Sequence, residues 1–202
     1  MTKTYRSRAT RLTLLCRGAT PSNRLPRLFS DEPLLPKDAK RATALAKALP
    51  AFDRVLHAPE TSAAETAAAF SPAAEPCPAL RDADYGQWSG RTIDDIAAEA
   101  PHALESWMSD PTAAPHGGES AKAVLTRAAA FLDGLHGEGG PLLAVTHGLI
   151  LKVLLLHVLG APLTSLRRVD VAPLGTLALS SDGRRWVLRG FATEPPAMAD
   201  LS

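Results

Sequence analysis

Two apolar runs in this chain end in side chains able to do polar chemistry. Leu142-Leu143-Ala144-Val145-Thr146 leads into His147-Gly148, and Leu12-Thr13-Leu14-Leu15 leads into Cys16-Arg17-Gly18 and a polar loop that reaches Asn23. Each run reads as a buried strand that hands a side chain to the carboxyl edge of a sheet, where open α/β sheets bind ligands. An imidazole placed there can serve as acid, base or nucleophile. A guanidinium offers paired donors matched to phosphate oxygens, but it stays protonated and has no lone pair with which to attack phosphorus. A cysteine beside a cation is a candidate thiolate, although a Cys closing a buried strand is more often an inert core residue.

The elements that must position these groups alternate between strand and helix character, which predicts an α/β fold: a three-layer α/β/α sandwich with a mostly parallel, Rossmann-like sheet. Strands are expected over 11–16, 53–57, 141–146, 175–179 and 186–188, with Ser181-Asp182-Gly183 as a hairpin turn between the last two. Helices are expected over 36–49, 61–70, 119–136 and 147–159, with Pro36 in a first turn and Gly160 after a last one. The whole chain, 1–202, reads as one domain. Within it, 72–118 is a Pro-, Asp- and Ala-rich insertion with short helices at 92–99 and 102–108, expected to lie like a lid over the carboxyl edge, and 194–202 is a loose tail.

The order of several short motifs resembles the histidine phosphatase superfamily, also called phosphoglycerate mutase-like, from about residue 10 to 187. Cys16-Arg17-Gly18-Ala19-Thr20-Pro21-Ser22-Asn23 is similar to the family's Arg-His-Gly-Glu-Thr-x-x-Asn, with Gly18, Thr20 and Asn23 in register without a gap. Asp31-Glu32-Pro33-Leu34 resembles the turn before its first helix. The stretch from His57-Ala58-Pro59-Glu60-Thr61-Ser62 lies where the family carries Ser-Ser-Pro-Leu-x-Arg. Leu80-Arg81-Asp82 with Gly86-Gln87-Trp88-Ser89-Gly90 resembles its acid-bearing loop, and Pro115-His116-Gly117-Gly118-Glu119-Ser120 its Pro-Gly-Gly-Glu-Ser loop.

The resemblance implies a phosphoglycerate mutase-like fold, with His147 and Asp82, the latter at the general-acid position, as catalytic candidates. It also implies that Arg17 stands where the nucleophilic His belongs, Cys16 where one phosphate-clamping Arg belongs and Ser62 where the second belongs. Carried over, the family geometry gathers Cys16, His57, Asp82, His116 and His147 near one rim. Candidate ligand-binding residues are Arg17, Gly18, Asn23, Ser62, Arg81, His57 and His116. Trp88 with Tyr85 is expected to anchor the acid loop, and Glu119 and Ser120 to open a helix.

Three readings follow. The first is a divergent member that has lost phosphohistidine chemistry, keeps a pocket for a small anionic or phosphorylated metabolite and turns His147 and Asp82 to acid/base work. The second is a phosphomonoester hydrolase using water, Cys16 or a metal held by His57, His116, His147 and Asp82 in place of the missing His. The third is a protein-interaction module. None of these histidines shows a short metal-ligand spacing such as His-x-x-x-His, so no metal or cofactor is assigned.

With 22 basic and 21 acidic residues and 46% apolar residues, the chain has a balanced surface that gives no reason to expect nucleic acid or an anionic membrane. The run 12–16 is too short for a signal peptide, no stretch approaches a membrane span, and the two cysteines suit a reducing compartment, so the expected location is the cytoplasm. The resemblance leaves a homodimer through the sheet edge open.

Overall fold

A computed structural model describes residues 9–24 and 27–195. The expected tail thus lies, from residue 196 onward, outside the described residues. Six strands form one sheet: β1 (Thr10–Cys16), β2 (Arg54–His57), β3 (Glu75–Pro76), β4 (Gly140–Thr146), β5 (Thr176–Ser181) and β6 (Trp186–Ala192), in the order β3-β2-β4-β1-β5-β6. Pairing is parallel from β3 through β1 and antiparallel from β1 to β6. The sheet is therefore parallel where the chemistry sits and closes with a hairpin at its far edge.

Among the described residues, six α-helices accompany it: α1 (Pro36–Ala48), α2 (Thr61–Ala68), α3 (Ile93–Glu99), α4 (Pro101–Ser109), α5 (Ala121–Gly134) and α6 (Gly148–Leu159). The crossovers through α1 and α2 step the same way along the sheet, whereas the return through α5 to β4 reverses direction; right-handedness therefore puts α1 and α2 on one face and α5 on the other. Covered on both sides, the middle strands are near-continuously apolar, and Leu14, Leu15, Leu143, Ala144 and Val145 are fully buried. Helix α6 is apolar almost all round and sinks six residues into the core before Gly160, at φ 64°, ends it.

The expected insertion is more regular than its composition suggests. Its residues 75–76 pair with β2 as an edge strand, an element too short and too rich in Pro to be read from sequence. Beyond them Trp88, Ile96 and Leu104 form a second small core, against which Tyr85, Ile93 and Trp107 pack. Among the described residues, no helix is long and apolar enough to cross a membrane.

Candidate active site

Strand register places the two motif ends side by side. Cys16 is paired with Thr146 across adjacent parallel strands, so Arg17 and His147 emerge together at the carboxyl edge. The backbone N–H of Arg17 donates to Thr146 O at 2.7 Å and locks the two ends together. The hydroxyl of Thr146, buried in turn, donates to Leu80 O. That bond pulls the following loop against β4 and brings Asp82 to the imidazole.

His147 is 6% exposed and lies between two carboxylates. Its Nε2 is 3.0 Å from Glu60 Oε2, and its Nδ1 is 3.4 Å from Asp82 Oδ2. Glu60 is itself buried at the mouth of α2, and its Oε1 accepts the backbone N–H of Asp82 at 3.1 Å. Burial alone would push the Glu60 carboxyl up. The hydrogen bond and charge of His147, with help from the Asp82 amide, outweigh burial and hold it below the usual carboxylate range. An imidazole that donates Nε2–H to Glu60 keeps its Nδ1 lone pair toward Asp82 and the pocket, the orientation a general base needs.

Arg17 is fixed by its own loop. Its Nη1 donates to Gly18 O at 2.8 Å and to Asn23 Oδ1 at 2.9 Å, and Asn23 Oδ1 also accepts Thr20 N–H at 2.9 Å. Cys16, Arg17, Asn23, Asp82, Tyr85 and His147 all line one pocket of about 210 Å³. The start of α6 forms its wall and adds the partial positive charge of a helix N-terminus.

A clasp behind the pocket sets the acid loop. The Arg127 guanidinium, on α5, donates to Ala79 O, Arg81 O and Asp82 O at 2.8, 3.0 and 3.3 Å and forms a two-pronged pair with Glu119 at 3.1 and 2.9 Å. Glu119 also accepts Asp84 N–H at 3.2 Å, and its carboxyl sits below the usual range because these donors outweigh its burial. Two loops meet backbone to backbone here. A Cβ on Gly118 would stand 2.1 Å from Asp84 O and one on Gly86, at φ +48°, 2.1 Å from His116 O, so only glycine fits at either position.

Several expected site residues lie elsewhere. Gly18 gives its N–H to Thr66 Oγ1 at 3.0 Å and packs against Leu34, so its amide is not free for a ligand. Ser62 is 3% exposed on α2, where its carbonyl accepts the Thr66 hydroxyl. His57 ends β2 with Nδ1 2.7 Å from Ala58 O. Arg81 turns to Glu119 at 2.9 Å. His116 is fully buried among Tyr85, Trp88 and Trp107, and its Nδ1 accepts Gly118 N–H. The expected imidazole cluster therefore does not form, and among the described residues no group of three or more His, Cys, Asp or Glu is arranged to hold a metal ion.

Cys16 does line the pocket, yet burial pushes its thiol up to about 11 despite the neighbouring Arg17. This corrects the thiolate expectation: near neutral pH the sulfur stays protonated, and desolvation outweighs the adjacent cation. Glu119 does not cap α5; Ser120 does, accepting Ala123 N–H. Tyr85 both anchors the loop, edge-on to Trp107, and faces the pocket, and burial keeps its phenol protonated.

Glu60 and Arg127 were not foreseen from sequence. An acid at an otherwise apolar place in the 57–62 motif was the available signal for Glu60.

Comparison with known proteins matches this architecture. The family model described as histidine phosphatase superfamily (branch 1) matches residues 12–194. The glucosyl-3-phosphoglycerate phosphatase of Mycolicibacterium vanbaalenii is 33% identical over 136 residues, 60% of this chain and 56% of that protein. The chain thus spans about half the length of the curated relatives it matches. Among solved structures, mycobacterial glucosyl-3-phosphoglycerate phosphatase aligns with TM-score 0.81 and 25% identity over 93% of this chain and 100% of its own. Bacillus stearothermophilus YhfR aligns with TM-score 0.82 and 28% identity over 90% and 96%. Because that family model matches nearly the whole described chain, from residue 12 to 194, the chain belongs to the histidine phosphatase superfamily, branch 1.

Proposed function

We propose that this chain binds a small phosphorylated metabolite at Arg17 and Asn23, has given up phosphohistidine chemistry, and uses His147 with Asp82 for acid/base work. The observation that carries this reading is the line Glu60, His147, Asp82 beside Arg17. A guanidinium occupies the strand end from which an imidazole would attack phosphorus, and it has no lone pair to attack with. It can hold phosphoryl oxygens, which fits the phosphorylated compounds named for the relatives. Glu60 holds the His147 ring in place, so the ring can accept a proton at Nδ1 from a group in the pocket and pass it on, with Asp82 as the adjoining carboxyl.

The test is a phosphomonoester hydrolysis screen of the purified protein, metal-free and with zinc, manganese or magnesium, beside an Arg17→His plus Cys16→Arg double variant. Inorganic phosphate binding is followed in parallel by calorimetry. Expected are phosphate binding without a phosphorylated-protein intermediate in the natural chain, and a gain of turnover in the double variant. Rapid hydrolysis by the natural chain through a phosphorylated His147 would overturn the reading.

A further inference from the structure

His116 stands at the junction of the acid loop and the loop that leads into α5. Its side chain is fully buried among Tyr85, Trp88 and Trp107, with ring centroids 5.9, 5.2 and 6.4 Å away. Its Nδ1 accepts the N–H of Gly118 at 3.0 Å, and its carbonyl accepts the N–H of Gln87 at 3.0 Å. One residue thus ties the 84–88 turn to the 115–119 loop, through its carbonyl and through its packed ring. Beside it Glu119 N–H donates to Asp84 O at 2.7 Å, at the contact that only glycine at 86 and 118 permits.

This seat suits a neutral imidazole only. With its Nδ1 lone pair taken by Gly118, the ring carries its proton on Nε2, which finds no hydrogen-bond partner among the described residues. A second proton would set Nδ1–H against Gly118 N–H, donor facing donor, and place a charge out of water. The surrounding charges do little to offset this. Asp84, on the turn, favours the protonated ring, but its carboxylate already accepts Gly86 N–H at 2.8 Å. Tyr85 brings a phenol that burial keeps protonated, and Trp107, on α4, carries the Arg167 guanidinium 4.9 Å over its ring. Glu119, on the same loop, is engaged by Arg127 and Arg81. Burial outweighs Asp84 and pushes the His116 imidazole below its ordinary value.

We infer that His116 is an acid-sensitive latch: while neutral it holds the 84–88 turn against the 115–119 loop, and on protonation at Nδ1 the ring leaves the three aromatics for water and the loops part. The released turn follows directly on Asp82 and contains Tyr85, both of which line the Arg17 pocket, so acid loosens one wall of that pocket. The latch stands whatever the pocket binds. In the open state the imidazole is hydrated and titrates near about 6.5, whereas the closed state takes the proton only at lower pH. Opening is therefore insensitive to pH above about 6.5 and becomes easier by up to about tenfold per pH unit between the two values.

The experiment is amide hydrogen exchange on the full chain, followed by NMR from pH 7.5 to pH 5, with each rate divided by that of a free amide at the same pH, so that it reads the opening equilibrium. The amides to follow are Gln87, Gly118 and Glu119, with Leu143 and Val145 of β4 as the reference. Opening at the three loop amides should rise about tenfold or more across this range while β4 holds steady. Two variants remove the titrating group: His116→Asn keeps a side-chain acceptor for Gly118, and His116→Phe keeps a ring. In both, the loop amides should open to an extent that no longer changes with pH, and circular dichroism checks the fold. An opening that is flat with pH in the natural chain, or a slope that persists in a folded variant, would overturn the inference. Loosening of β4 in step with the loop would assign the effect to global unfolding and overturn it equally.

Discussion

Glu60 Oε2 lies 3.0 Å from His147 Nε2, and both residues are buried, at 9% and 6% exposure. The pair joins the N-terminus of α2 to the carboxyl end of β4, across a sequence separation of 87. It fixes the orientation of the His147 ring.

Replacing Glu60 with Gln should cost about 1–3 kcal/mol at pH 7, the price of a charged partner lost from a buried hydrogen bond. The pH dependence has a definite sign. The folded carboxyl is held below its unfolded value, so its contribution is fully present above that value and fades as pH falls through the lower, folded one. Urea unfolding of both proteins from pH 7 to pH 3 should show a gap that is widest near neutrality and closes in acid; a constant gap would argue for a packing effect instead.

Arg127→Met should destabilise by about 3–5 kcal/mol, because the change leaves the Glu119 carboxylate and three loop carbonyls short of donors in a poorly hydrated place. Arg127→Lys should recover only part, since an ammonium cannot reproduce the two-pronged geometry. Chemical denaturation of the three proteins checks the order; full recovery by Lys would mean that charge alone matters.

Cys16 should resist alkylation. With its thiol raised to about 11 and its side chain buried, iodoacetamide at pH 8 should label Cys77, which is partly exposed, well before it. Peptide mass spectrometry over a time course decides the order, and faster labelling at Cys16 would restore the thiolate reading.

Gly86→Ala should cost at least about 3 kcal/mol, combining left-handed backbone strain with an overpacked contact against His116 O. The backbone there must shift, and with it the Tyr85 and Asp82 loop, so phosphate affinity should fall along with the thermal midpoint. A variant of normal stability and normal phosphate affinity would show that the two loops can part freely.

Much of the architecture was legible in the chain itself. The apolar runs before Cys16 and His147, the helical stretch after Gly148 and the Gly160 stop fixed β1, β4 and α6 to within a residue or two, because burial on both faces leaves a continuous apolar signature. The resemblance to the family also implied that Arg17 and His147 share one edge, and the direct pairing of β1 with β4 sets them side by side. Tertiary structure decided the rest. Whether Cys16 ionises depends on desolvation, which no neighbouring residue type reveals, and His116 was drawn off by three aromatic rings that pack from two different segments. Glu60 became His147's partner only because β2 pairs directly with β4, which brings the start of α2 to the end of β4. Arg127 found the acid loop because α5 crosses behind it. Local sequence specifies strands, helices and their ends; partners separated by dozens of residues are chosen by sheet order and helix packing, where distance along the chain carries no information.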